Sequence, residues 1–224
     1  MTALDLFLVA TVLLVAWVAC IARRTNFVFA AMGDEGQDTD IKIAPEKMSS
    51  AGTEQGFEEA RQEAEVYLRQ KSLGNVGKAR TLGGQFADLL IETVEKNFNP
   101  WPEQMADSLR AHHLVLLFSY AVNRVVTQLS PNSILAHTAL GVFYNEVETR
   151  VPELDKCIKD MASYSLYVLC ERGSSCTDQE IGKIYARLCG DRDNPALIDE
   201  GEAAFMSYHK SCAELHERAR YLEG

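Results

Sequence analysis

The sequence predicts an all-α fold: a single N-terminal transmembrane helix followed by a bundle of about six helices. Three observations carry that reading. An uninterrupted apolar run opens the chain, apolar residues recur at three- and four-residue steps behind it, and no alternating apolar-polar run of the kind a sheet requires survives beyond the linker. The order along the chain is then an anchor over residues 1–24, an acidic linker over 25–56 and a helical domain over 57–224.

The anchor is the stretch Leu4 to Ala22, LDLFLVATVLLVAWVACIA, whose one charge, Asp5, lies at its edge. As a helix it is roughly 28 Å long, close to the hydrocarbon thickness of a bilayer. Trp17 sits near one end, where an aromatic ring suits the interface, and Arg23-Arg24 stop the segment. A cleaved signal peptide has a basic n-region, whereas Met-Thr-Ala-Leu-Asp contains no Lys or Arg, so the segment is read as retained. The basic flank follows the span, which places the C-terminal domain on the cytoplasmic side.

Cysteine usage agrees with that side. Of six cysteines, Cys20 belongs to the anchor, and five in the domain cannot all pair within one chain. Reduced, mostly buried thiols are expected; the rival is a Cys170–Cys176 bridge across the short loop between them if the domain is exported.

The linker carries Asp34, Glu35, Asp38 and Asp40, then Pro45, Ser49, Ser50 and Gly52, with no apolar period. Helical spacing starts at Phe57, Ala60, Ala64 and Tyr67/Leu68, with Glu65 and Arg69 spaced for an i,i+4 pair. Gly74, Gly77, Gly83 and Gly84 are expected to break or loosen the chain before Phe86, Leu89/Leu90 and Val94 resume the period. Asn99-Pro100-Trp101-Pro102 ends that helix, since the residue before a proline avoids helical geometry.

Pro102 to Leu129 reads as one long helix. Its middle, Leu114 to Val122, is apolar on nearly every side and too short to cross a bilayer, so it is expected to be the buried centre of the bundle. Ser130-Pro131 and Asn194-Pro195 pair an N-cap with a proline at the first helical position. Pro152 opens a helix carrying Leu154, Ile158, Met161 and Leu169. Thr177-Asp178-Gln179-Glu180 is a capping box, and Gly173 and Gly190 stand where C-terminal caps belong.

Candidate chemistry is sparse. The formal net charge of −10 disfavours a nucleic-acid partner. There is no phosphate loop, no nucleophile elbow and no pair of Glu-x-x-His segments. His209, Cys212 and His216 share one side of the last helix and form the candidate metal face, with donors that suit zinc. His209 and His216, however, lie about 10.5 Å apart along the axis, too far for one ion, so a buried cysteine flanked by hydrogen-bonded histidines is the expectation. His112-His113 project about 100° apart and are not expected to act on one atom. His137 falls on a polar side and is read as solvated.

The residues thus point to a non-enzymatic, membrane-anchored interaction or scaffold module, without a cofactor, whose partners are the membrane through residues 4–22 and another protein. A metal- or small-ligand-binding bundle using the His209/Cys212/His216 face is the alternative.

Overall fold

In the computed structural model, residues 54–98, 108–173 and 176–222 are described, and all regular structure among them is helical. The span expected at residues 4–22 and most of the linker lie outside these residues, as does Asn99-Pro100-Trp101-Pro102. None of the described helices is long and apolar enough to cross a membrane. Among the described residues there are eight helices: α1 (Glu54–Ser72), α2 (Asn75–Asn97), α3 (Leu109–Leu129), α4 (Ser133–Arg150), α5 (Pro152–Ile158), α6 (Met161–Arg172), α7 (Asp178–Leu188) and α8 (Pro195–Ala219).

The centre is α3, which packs on α2, α4, α5, α6, α7 and α8. Every residue from Leu114 to Val122 is buried, as an apolar run with no polar face requires. The helix starts at Leu109, later than Pro102, because the Ser108 side chain caps it by accepting from the Ala111 backbone N–H.

The most extensive interfaces join α2 to α4 and α7 to α8. The glycines behave differently from expectation. Gly74, at φ +73°, is the left-handed residue that turns α1 into α2, but Gly77, Gly83 and Gly84 lie inside α2 without breaking it. A Cβ at Gly83 would meet the Ala139 carbonyl oxygen of α4 at 2.3 Å, so Gly83 marks a close helix crossing. Tertiary packing on α4 here outweighs the intrinsic cost of glycine in a helix.

Several sequence signals recur as geometry. Asn194 accepts from the backbone N–H groups of Ala196 and Leu197, with Pro195 behind it. Thr177 accepts from the Glu180 N–H, while the Glu180 carboxylate turns to Lys183 instead of closing the box. Gly190, at φ +90°, closes α7: its N–H reaches the Arg187 carbonyl and the Asp191 N–H reaches that of Ala186. These two bonds make a Schellman ending. At α4 the cap is Asn132, accepting from the Leu135 N–H, two residues later than the Ser130-Pro131 reading. Glu65 faces Arg61, not Arg69.

The helix opened by Pro152 is two helices. The first ends with Lys159 as its C-cap, and the Asp160 side chain caps α6 by accepting from the Ser163 N–H at 3.1 Å. A local carboxylate cap competes with helix continuation wherever the backbone can turn. The change of direction leaves Leu154 and Ile158 buried but Met161 and Leu169 67% and 61% exposed.

The segment after α8, as far as Leu222, is pinned to the start of α2. Buried Asn75 donates to the Leu222 carbonyl and accepts from its N–H, both at 2.9 Å, and also donates to Gln70. Lys78 donates to the Arg220 carbonyl, which follows a left-handed turn at Arg220 (φ 45°).

Candidate functional site

Two groups of histidines occupy different parts of the bundle. Each residue of the His209, Cys212 and His216 stripe has its own environment. Cys212 is fully buried and its thiol is pushed well up by burial alone. His216 is buried with Nε2 3.4 Å from the Ser130 hydroxyl and its ring against Tyr221. His209 rests on the Phe205 ring. Burial lowers the pKa of both histidines, which favours neutral imidazoles in the folded chain. Each group is accounted for by packing or a hydroxyl partner.

The second group is His112, His113 and Asp160. Among the described residues these three bring one ligand atom each within 4.8 Å of one another. Side-chain length explains why neighbouring helical residues converge: the two rings leave the α3 surface in different directions, yet stand edge to face with centroids 5.0 Å apart. Their convergence point lies off the helix, where the α5–α6 junction brings in Asp160. His112 and His113, not expected to act on one atom, thus bring ligand atoms within 4.8 Å of each other and of Asp160, a residue at a helix break that the spacing of apolar residues did not reveal.

Three different environments meet there. His112 is about one-third exposed, with Nε2 3.4 Å from Asp160 Oδ2. Asp160 uses its other oxygen, Oδ1, to cap α6. Hydrogen bonding by Ser163 and His112 holds its carboxyl below the usual range, against the opposing effect of burial. His113 is 95% buried, being 5% exposed, and lies against the Leu188 backbone at the end of α7. Its pKa is lowered, first by burial and then by His112. Its Nδ1 is buried and has no hydrogen-bond partner. Around neutral pH this is a carboxylate beside a neutral, buried imidazole, with a second imidazole at the rim.

A third feature is covalent. Cys170 and Cys176 form a disulfide, with Cα atoms 5.2 Å apart, joining the last turn of α6 to the residue before the Thr177 cap. This corrects the expectation that all domain thiols are reduced: the short Gly173 turn brings the two residues within bridging range. Cys157, Cys189 and Cys212 are free, and none is exposed. His137 is exposed, as its polar side requires, on an open groove with Asn123, Thr127 and Ser133.

Compared with protein families, with curated proteins and with solved structures, the chain matches none.

Proposed function

We propose that this protein is a membrane-anchored helical interaction module, held by residues 4–22 and presenting α6 to a protein partner. The observation that carries the reading is the outward face of α6. Met161 and Leu169, spaced eight residues apart and so near each other around the helix, are two of the most exposed large apolar side chains among the described residues. Tyr167 alone is fully buried on this helix, yet α6 is clipped at its far end by the Cys170–Cys176 bridge. Two exposed apolar side chains, with exposed Ser165 between them, on a peripheral helix clipped at one end offer a contact surface held in place.

The side of the membrane follows from weighing two signals. Arg23-Arg24 favour a cytoplasmic domain, but they are only two residues. A disulfide persists in oxidising compartments and is rare in a reducing cytosol. Our reading follows the bridge and puts the domain on the oxidising face.

Site-specific photo-crosslinkers test the surface in the full chain in its native membrane. Crosslinkers at 161 and 169 are expected to give one discrete adduct that is lost on Leu169→Glu and Met161→Glu respectively, whereas one at exposed Lys210 gives none. Equal labelling at all three positions, or none at 161 and 169, overturns the interaction reading.

A further inference from the structure

We propose that His112, His113 and Asp160 form a binding site for one divalent transition-metal ion of the zinc class. This goes beyond the interaction reading, which stands or falls without it.

The donors come from two places, adjacent imidazoles from α3 and the carboxylate from the α5–α6 junction, while the end of α7 walls the buried side. Two imidazoles with one carboxylate suit zinc or its first-row neighbours, whereas magnesium and calcium prefer all-oxygen shells. Metal–ligand bonds of about 2.1 Å put two ligands of one tetrahedral ion about 3.4 Å apart. His112 Nε2 and Asp160 Oδ2 already stand at 3.4 Å. The full set lies within 4.8 Å, so side-chain movements of about 1 Å bring it to the bonded geometry, and His112 and Asp160 are partly exposed and have room to move.

A histidine–carboxylate ion pair alone accounts for His112 and Asp160 but not for His113. Its Nδ1 is shut away from solvent with no partner, in a ring that also meets the Leu188 backbone and has a nitrogen within 4.8 Å of the other two ligand atoms. Buried polar nitrogens are nearly always paired, and an orphan left beside two ready ligands fits an ion that completes the group. His112 and Asp160 remain partly open to solvent, so the fourth position faces outward and can take water or a ligand from a partner.

The test uses the full chain in mild detergent, stripped with chelator and then titrated with zinc against a chromophoric competitor. One equivalent is expected to bind, and cobalt in its place is expected to give visible ligand-field bands. Asp160→Asn keeps a side-chain oxygen for the Ser163 N–H, so α6 stays capped. His112→Gln alters only the rim. Each is expected to weaken binding by at least about tenfold with unchanged helicity, in line with the loss of a metal-binding residue. Cys212→Ala is expected to leave binding as it is. Three results overturn the site: no stoichiometric zinc on the wild type, wild-type affinity in both variants, or binding abolished by Cys212→Ala, which would move the ion to α8.

Discussion

Gly83 and Gly84 sit side by side in α2, and replacing each by alanine is expected to move stability in opposite directions. In an exposed helix interior, Gly→Ala stabilises by about 1 kcal/mol, because alanine loses less backbone entropy on folding. Gly84 meets that condition, since a Cβ there has nothing within 4 Å. At Gly83 the same Cβ would stand 2.3 Å from the Ala139 carbonyl oxygen, 2.9 Å from Val142 Cβ and 3.1 Å from the Phe143 nitrogen. Carbon–oxygen contacts settle at about 3.3 Å or more, so α2 and α4 must part by roughly 1 Å. Two of the three opposing atoms are backbone, which no rotamer change relieves. The crossing lies between rows of fully buried side chains, Leu82 and Phe86 on α2 with Leu135 and Phe143 on α4, so separation loosens that whole interface. Overpacking costs about 1–3 kcal/mol and more where backbone must move, which outweighs the propensity gain and leaves Gly83→Ala destabilising by about 2 kcal/mol. For a domain of this size the shifts in Tm are about −4 to −8 °C at Gly83 and about +2 to +4 °C at Gly84. Thermal unfolding followed by circular dichroism on the two single variants reads both. A Tm raised by Gly83→Ala, or lowered equally by the two, would refute the close-crossing argument.

Other expectations rest on other parts of the fold. Leu116→Ala, at a fully buried site in α3, is expected to cost about 2 to 5 kcal/mol in a denaturant titration; a loss near zero would place that run at a surface. Asn75→Ala leaves the Leu222 N–H and carbonyl without their partner and is expected to cost about 1–3 kcal/mol, with hydrogen exchange rising first at the end of α8. Alkylation without reductant is expected to mark Cys157, Cys189 and Cys212 after unfolding and to spare Cys170 and Cys176; modification of all five would locate the domain in a reducing compartment. His209 and His216 have pKa values held below the ordinary 6.5 by burial. The unfolded chain therefore binds protons first as pH falls through that value, so their contribution is flat above it and stability is lost below it. The urea midpoint is expected to fall between pH ~7.5 and pH ~5.5 and to fall less in the His209→Gln/His216→Gln double variant; an unchanged slope would sink this assignment.

Much of the helical domain is legible in the sequence because its signals are local. Asn194-Pro195, Thr177 and Gly190 act through bonds to residues two to four positions away, so a short window contains the whole cause. Leu114 to Val122 is legible for a different reason: with no polar side to offer water, it has to be central. The misread features depend on tertiary contacts or on where the chain turns. Gly83 inside α2 makes sense only opposite Ala139 and Phe143, more than fifty residues on. The bridge depends on whether the turn after α6 brings two cysteines together, and the His112/His113/Asp160 group on three separate helix ends.

The break at Lys159-Asp160 links both functional proposals. A continuous helix from Pro152 to Arg172 would follow one apolar period and keep Met161 and Leu169 on the same inward stripe as Leu154 and Ile158. Because Asp160 instead caps a new helix, the direction of the chain changes after Ile158. Met161 and Leu169 then face outward, where a partner can meet them. The same turn delivers the free oxygen of the capping carboxylate to His112, 3.4 Å away. One residue thus starts α6 directly after the Lys159 end of α5 and faces His112. An ion held by Asp160 would tie the α5–α6 junction to α3, while the Cys170–Cys176 bridge fixes the opposite end of α6 to the segment before α7. A helix whose own buried surface is small would then be held at both ends, which lowers the entropy lost when its exposed stripe is covered by a partner.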